Sequence, residues 1–580
     1  MMHDKVLGLI WQLWGSGKLP IIDNFGDMKL FTSRSFGLIH TVRNFIVLVL
    51  FVFGGTVQSQ QLSSEIPLDW HLLDPESDQV QGLSVEKTYT TLLKNKPSKT
   101  VVVAVIDSGI DTEHEDLKSV MWINPGEVAG NGMDDDKNGY VDDIHGWSFI
   151  GSKAGNVNED TYELTRELVR LSSKFEKIDT RSLSKKDKAD FDYYTKVKSA
   201  YEEKMAQDDK QYKMYKRLYQ SFRFGLDTLR SVLGKGPYTQ QQIESVKSDD
   251  PAILFAKSVV INLMKNAPGT DPDQLLEEIQ GAYEYFQRIV EYGLNKDFDP
   301  RSIVGDDYNN KKERLYGAAD VKGPDAEHGT HVAGIIAADR TNELGIKGIA
   351  DNVKIMAIRA VPNGDERDKD IANAIYYAVN NGARIINMSF GKDYSPDKIL
   401  VDEAVRYAEK KGVLLIHAAG NDGKNTDVET NFPSPKMLSG KPVKTWIEIG
   451  ASAPGKNETD LVADFSNFGK KRVDFFSPGV DIYSTIPNGG YKKNSGTSMA
   501  APAASGVAAL LMSYFPELSA QQVKDILVQS TRKFDGLKVN PPDGGDPVSL
   551  SELCITGGLV NAYEAVQLAL KANEVATPKR

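Results

Sequence analysis

The chain has 580 residues, of which 40% are hydrophobic and 26% are charged, and its formal net charge at pH 7 is −11. This length exceeds that of one usual hydrophobic core, so we expect at least two structural units. The acidic balance argues against nucleic acid as a partner. The only cysteine, Cys554, rules out an intrachain disulfide, and we expect it to be a small, buried or half-buried residue.

Residues 1–59 have the layout of a secretory signal peptide. Basic residues precede a run of nine apolar residues, 45–53, and small residues follow this run. Cleavage is therefore predicted before Gln60. Residues 1–27 make the basic region unusually long, so Met28 is the more normal start of translation and the stretch before it is interpreted as a misassigned start.

The apolar run is too short for a good membrane span, so we expect no membrane span in the mature chain. An uncleaved N-terminal anchor is the alternative. No cysteine follows the run, which rules out lipid attachment at the cleavage site. We expect a protein that is secreted or that lies in a bacterial periplasm or cell envelope.

A continuous apolar run from Val101 to Ile106 ends at Asp107. Such a run is typical of a parallel strand that is covered on both faces. A carboxylate at the C-terminal end of such a strand lies where open α/β sheets place their functional sites. Taken alone, Asp107 would be interpreted as a structural residue.

An acidic, glycine-containing stretch follows at residues 131–143. Oxygen-bearing side chains recur at alternate positions before a sharp turn at Gly139, as at the start of an EF-hand calcium loop. The closing glutamate of that pattern is replaced by His145, so one of the two aspartates before it is expected to close the shell. A solvated acidic loop is the alternative. The candidate Ca²⁺ ligands are Asp134, Asp136, Asn138, Tyr140 through its carbonyl, Asp142 and Asp143.

Residues 151–312 are predicted to form a long helical insertion, because apolar residues recur there at steps of three and four. The longest helix is expected to end at Gly234 after a rod of some 60 Å. Further helices are predicted to begin at Thr239 and Asp271. Two interpretations stay open: a lid over a cleft, and a helical appendage packed on the side of the main domain.

The chain from His328 onwards alternates between predicted strands and helices. His328 itself begins a helix of small residues that runs through Ala337. The alternation that follows predicts βαβ units and a mostly parallel sheet. The strands are predicted at 353–358, 385–388 and 413–416, and the helices at 370–380 and 402–411.

Ser498 lies in the segment Gly-Thr-Ser-Met-Ala-Ala-Pro and precedes a second buried helix of small residues. A hydroxyl at a helix mouth can act as a nucleophile, because the helix N-terminus offers N–H groups and a positive dipole end. A serine or threonine cap on a core helix is the alternative. Asp107, His328 and Ser498, each at a strand end or helix mouth, together favour a Ser-His-Asp triad.

These three motifs, in this order, resemble those of the subtilisin-like serine proteases, or subtilases. A fourth motif, 418–422, follows a predicted strand. The resemblance implies that Asn421 donates its side-chain amide to the oxyanion, whereas the residues alone predict a turn. The resemblance covers roughly 95–150 and 300–575.

The implied fold is a three-layer α/β fold with a mostly parallel central sheet and the helical insertion between the Asp and His motifs. The catalytic domain would comprise residues 99–150 and 313–575, interrupted by 151–312. Residues 60–98 form a short N-terminal segment, which is small for the inhibitory pro-domain of many secreted subtilases. We expect Trp70 and its neighbours to anchor this segment on the catalytic domain.

The resemblance also implies a secreted serine endopeptidase that acts on protein or peptide substrates through an acyl-enzyme, with structural Ca²⁺ and no organic cofactor. Substrate would pair with one wall of the cleft by strand addition. The small side chains of the other wall favour an apolar or broad preference for the residue before the cut. The substrate-binding residues implied are Ser389, Phe390, Gly391, Ala419 and Gly420.

Two other functions are weighed against this one. A non-catalytic protein of the same fold could bind partners through the insertion, but the intact triad and Asn421 argue against it. An esterase is disfavoured because the Gly-x-Ser-x-Gly elbow is absent around Ser498.

Overall fold

The computed structural model describes residues 66–576, except 179–182, 235, 237, 268, 456 and 457. The predicted signal peptide and its cleavage site lie outside these described residues. Within the described part of the chain, none of the helices combines the length and apolar character that a membrane span requires.

The central feature is a sheet of nine strands. Its order from edge to edge is β12, β15, β9, β8, β7, β6, β1, β5, β2, and all neighbours are parallel except β12 with β15. The predicted mostly parallel sheet is thus confirmed. The described strands are β1 (Val101–Asp107), β2 (Gly146–Ser148), β3 (Gly151–Ser152), β4 (Gly155–Asn156), β5 (Val353–Arg359), β6 (Ile385–Met388), β7 (Leu414–Ala418), β8 (Trp446–Ser452), β9 (Phe475–Pro478), β10 (Ile482–Ile486), β11 (Gly490–Asn494), β12 (Arg532–Lys533), β13 (Lys538–Val539), β14 (Val548–Ser549) and β15 (Gly558–Leu559).

Helices cover both faces of this sheet. The principal helices of the described residues are α1 (Glu163–Phe175), α2 (Lys185–Leu233), α3 (Gln240–Ser245), α4 (Pro251–Asn266), α5 (Pro272–Arg288), α6 (Arg301–Val304), α7 (Glu327–Ala337), α8 (Asp368–Asn380), α9 (Lys398–Lys410), α10 (Thr497–Tyr514), α11 (Ala520–Gln529) and α12 (Ala562–Ala576). Helices α7 and α10 to α12 pack in one core cluster, and α8 and α9 pack in another.

Strand β1 shows how the sheet separates these two cores. Val103 and Val105 belong to the cluster of α7 and α10, whereas Ala104 and Ile106 belong to the cluster of α8 and α9. Side chains of a strand alternate between faces, so a continuous apolar run is what two covered faces require. This arrangement gives the predicted three layers.

The helical insertion is built around α2, which has 49 residues. At about 1.5 Å per residue it is roughly 70 Å long, longer than predicted, because Ser184 caps it by accepting the Asp187 amide. The helix ends at Gly234, whose φ is 90°. The predicted starts at Thr239, with a capping box, and at Asp271 are both observed.

The N-terminal segment packs into the main core. Trp70 is fully buried in the cluster that contains α7 and α10, and its Nε1 donates to the Val480 carbonyl at 3.1 Å. Tyr89 donates its hydroxyl to the Ile349 carbonyl at 3.1 Å. Glu86 pairs with Arg340 at 2.6 Å. The segment is therefore a packed part of the domain that carries the sheet.

Cys554 is a free, fully buried cysteine, as the sequence predicted. It lies in a satellite apolar cluster with Leu550, Leu553 and Leu559.

Candidate active site

Asp107 and His328 meet at the C-terminal edge of the sheet. Asp107 is the last residue of β1 and His328 is the second residue of α7. The imidazole Nδ1 lies 2.7 Å from Asp107 Oδ1. Gly329 allows this approach, because a Cβ there would lie 2.2 Å from the Gly109 carbonyl oxygen and 3.0 Å from Asp107 Cβ.

The surroundings of His328 act on its pKa in opposite directions. Burial disfavours the imidazolium, but the charge of Asp107 and its hydrogen bond favour it. The net effect raises the pKa of His328 above its usual value. The Asp107 side chain is 3% exposed and that of His328 is 39% exposed, so the imidazole bridges a buried carboxylate and an open cleft.

Ser498 is the second residue of α10, and α10 packs against α7. In this conformation its hydroxyl donates to the Ser389 carbonyl at 3.2 Å, and no hydrogen bond joins it to His328 among the described residues. Such bonds are often formed only when substrate is present.

A buried polar chain holds the segment behind Ser498. Ser389 Oγ donates to the Ser498 carbonyl at 2.9 Å and accepts from Asn387 Nδ2 at 2.9 Å. Ser505 of α10 donates to Asn387 Oδ1 at 2.8 Å. Sequence analysis missed Asn387 and Ser505. The signal was an asparagine in the otherwise apolar strand β6.

Asn421 is oriented by Thr497. Its Oδ1 accepts the Thr497 amide at 2.8 Å and the Thr497 hydroxyl at 3.0 Å, and that hydroxyl accepts the Gly420 amide at 3.1 Å. Asn421 Nδ2 has no hydrogen-bond partner among the described residues. A Cβ on Gly496 would lie 3.6 Å from both Asn421 Nδ2 and the Ser498 amide nitrogen, so the Asn421 side chain lies close to the backbone at Ser498.

A cavity of about 310 Å³ opens beside Ser498. Of the residues predicted to bind substrate, Phe390, Gly391 and Gly420 line it, together with Asn421. The other two predicted residues, Ser389 and Ala419, do not line the cavity. Ser389 is buried and supports Ser498 as described, and Ala419 is fully buried.

Another part of the cavity lining comes from the helical insertion, through Tyr162, Leu164 and Lys204. Asp365 also lines the cavity. The insertion therefore forms part of the candidate substrate site. These residues were not predicted from the sequence. Helical periodicity identifies the apolar face of a helix, but it does not identify the surface against which that face packs.

The acidic loop brings three carboxylates together. Oxygens of Glu127, Asp134 and Asp136 lie within 4.8 Å of one another. The backbone N–H of Asn138 donates to Asp134 and Asp136 at 3.0 and 2.9 Å. Carboxylate oxygens suit a hard cation such as Ca²⁺, so these residues fit the expected ion. Sequence analysis missed Glu127.

The two aspartates expected to close the shell are otherwise engaged. Asp142 accepts backbone amides at residues 130–132. Asp143 is buried and accepts from Asn124, Asn138 and Tyr377. The ring of Tyr140 belongs to the apolar core that includes α8. Glu127 lies beside Asp134 and Asp136 and likewise accepts backbone amides, those of residues 135, 136 and 142.

Comparison with protein-family models matches residues 98–547 to the subtilase family. The thermophilic serine proteinase of Bacillus sp. (strain AK1) is 41% identical over 229 residues, which are 39% of this chain and 51% of that protein. The cell wall-associated protease of Bacillus subtilis (strain 168) is 39% identical, over 38% of this chain and 23% of that protein. The chain thus spans about half or less of these relatives.

Two solved structures are similar to parts of the chain at lower sequence identity. A protease from Pseudoalteromonas arctica PAMC 21717 is 26% identical, with a TM-score of 0.36, over 44% of this chain and 79% of that one. A chain from the subtilase cytotoxin SubAB assembly is 25% identical, with a TM-score of 0.37, over 43% of this chain and 79% of that one.

Proposed function

The chain belongs to the subtilase family, and from that premise we propose that it is a serine endopeptidase that uses Ser498, His328 and Asp107. The observation that carries the proposal is the 2.7 Å contact of His328 with Asp107, at the mouth of a helix that packs against the helix of Ser498. A buried carboxylate on Nδ1 leaves Nε2 as the base of such a triad.

In the proposed reaction, Ser498 Oγ rotates away from the Ser389 carbonyl and attacks the carbonyl carbon of the scissile peptide. His328 Nε2 takes the hydroxyl proton as the Oγ–C bond forms, and the carbonyl electron pair moves onto oxygen. The C–N bond then breaks, and His328 gives the proton to the leaving amine. Water hydrolyses the resulting acyl-enzyme by the same steps, with His328 again as base.

The oxyanion would be stabilised by Asn421 Nδ2 and the Ser498 amide. Thr497 supports this role by holding Asn421 Oδ1 with two donors, so that the amide nitrogen is fixed before substrate arrives. Donors that are preorganised in this way lower the energy of the transition state without reorganisation during the reaction.

We further propose that Ca²⁺ binds the acidic loop through Glu127, Asp134 and Asp136. The ion would neutralise converging carboxylates and hold the loop that leads into β2. No step of peptide hydrolysis depends on it. The predicted signal peptide supports export of the protein, as a secreted or envelope enzyme.

The test is cleavage of an unfolded protein such as casein by the purified protein. We expect release of peptides by the wild type and none above background by Ser498→Ala. Ser495→Ala is the matched control, because Ser495 instead accepts the Asp481 amide at 2.8 Å, and it should retain activity. A folded wild type that cleaves nothing would contradict the proposal and favour a non-catalytic binding protein.

A further inference from the structure

The cavity beside Ser498 holds a carboxylate that the proposed hydrolysis does not use. Asp365 Oδ2 accepts the amide of Glu163, the first residue of α1, at 2.8 Å. Among the described residues, Asp365 Oδ1 has no hydrogen bond and no ion pair, and Asp365 is half-buried and lines the cavity. The neighbouring Arg166 donates to the Asp365 backbone carbonyl at 3.0 Å and pairs with Glu163 at 2.8 Å. The charges of Arg166 and Lys392 act on Asp365 from nearby, but neither cation forms an ion pair with its side chain among the described residues.

The cations of the cavity wall are already paired. Lys392 is 2% exposed, and its ammonium contacts Glu163 at 2.8 Å, Asp368 at 2.9 Å and the Glu366 carbonyl at 2.7 Å. These three contacts use its three N–H donors.

Lys204 pairs with Asp208 at 3.0 Å and lies 5.3 Å from the ring centre of Tyr162. At the rim, Asp393 and Asp422 share Lys424, at 3.2 and 3.6 Å. Among the described residues that line this cavity away from its rim, Asp365 is therefore the one charged side chain that forms no ion pair.

We propose that this cavity selects substrates with lysine or arginine immediately before the scissile bond, and that Asp365 binds the cation of that side chain. The inference rests on the proposed peptidase function. The aliphatic stem would lie between Phe390 and the insertion residues Tyr162 and Leu164, as basic side chains bury their stems while keeping the charged end in polar contact.

Other side chains fit the cavity less well. An acidic one would meet Asp365 and the carboxylates at the rim. An apolar one would desolvate Asp365 without giving it a partner, which costs free energy. The apolar or broad preference expected from sequence considered only the small wall at Ala419 and Gly420, without the wall from the insertion.

The test compares peptides that differ only in the residue before the cut. For the wild type we expect kcat/KM for arginine or lysine to exceed that for leucine by about tenfold to a hundredfold, the range for a hydrogen bond to a charged group, and glutamate to be worst. A wild type that prefers leucine would overturn the inference while leaving the peptidase function intact.

Substitutions of Asp365 test whether this residue causes the preference for arginine or lysine. Asp365→Asn keeps an oxygen for the Glu163 amide, and it should bring the ratio of arginine to leucine close to one. Asp365→Glu should restore part of the ratio. Glu159→Gln, at a half-buried acid outside the cavity, is the matched control and should leave the ratio unchanged. Retention of the arginine preference in Asp365→Asn would contradict the role of Asp365.

Binding provides a measurement that does not need turnover. In Ser498→Ala, fluorescently labelled peptides that end in arginine or leucine are compared by anisotropy, with and without Asp365→Asn. We expect tighter binding of the arginine peptide, lost with Asp365→Asn. Equal binding of the two peptides would overturn the inference. Absence of cleavage by the wild type would count against the proposed function alone.

Discussion

The imidazole of His328 contacts the buried carboxylate of Asp107 and is partly exposed to the cleft. This position determines the pH range in which His328 can act as a base. Burial lowers its pKa, but the charge and hydrogen bond of Asp107, together with the charges of Asp325 and Glu327, raise it by more. Because a general base must be neutral, activity should be lost as the pH falls through the pKa of His328. We expect the acid limb of kcat/KM against pH to have its midpoint above 6.5, the usual value. A midpoint well below that value would contradict the contact with Asp107.

Asn421 allows a second test of a single residue. Asn421→Ala removes one oxyanion donor, so kcat should fall by about 10²–10³ with little change in KM. Asn421→Asp is the informative control, because it keeps the oxygen that Thr497 holds but loses the N–H donor. Steady-state kinetics should show a loss at least as large in Asn421→Asp. Near-normal kcat in Asn421→Asp would show that the side chain only positions Thr497.

At the scale of elements, local sequence predicted most of what the structure contains. The continuous apolar run of β1, the helix stop at Gly234 and the capping box at Thr239 are each determined by neighbouring residues. Contacts between distant segments were not predictable in this way. The role of Asn387 could be recognised only from the structure, where its side chain is hydrogen-bonded to both Ser389 and Ser505.

The acidic loop is expected to make stability depend on Ca²⁺. A ligand present at a hundredfold excess over its Kd stabilises by about 2.7 kcal/mol, so removal with a chelator should lower Tm. Glu127→Gln should shrink the Ca²⁺-dependent rise in Tm measured by calorimetry. The exposed Glu113→Gln serves as control and should leave that rise unchanged. A Tm that is insensitive to Ca²⁺ in the wild type would contradict an ion at this loop.

The N-terminal segment is expected to stabilise the domain that carries the sheet. Trp70 is fully buried and hydrogen-bonded to Val480, so Trp70→Ala should lower the free energy of unfolding by about 3–5 kcal/mol. Leu68 is 49% exposed, and Leu68→Ala should change it by less than about 0.5 kcal/mol. Denaturant unfolding gives both values. A loss below about 1 kcal/mol for Trp70→Ala would mean that the segment is dispensable.

For the molecule as a whole, four separated motifs were enough to predict the family. Each motif lies at the end of a strand of the central sheet or at the start of a helix that packs on it. The helical character of the insertion was also predictable. Its position was not: the sequence favoured an appendage and allowed a lid, and the structure makes it a wall of the cavity beside Ser498. Asp365 lies outside every motif, so only the assembled walls reveal its place.

In the proposed enzyme, His328 and Asp107 activate Ser498. The most direct measurement is labelling of the intact protein with an alkyl fluorophosphonate, followed by mass spectrometry of its peptides. We expect one label per chain, on Ser498, with labelling lost in His328→Ala and strongly slowed in Asp107→Asn. A folded protein that takes no label, or that takes it on another serine, would show that Ser498 is not the activated nucleophile.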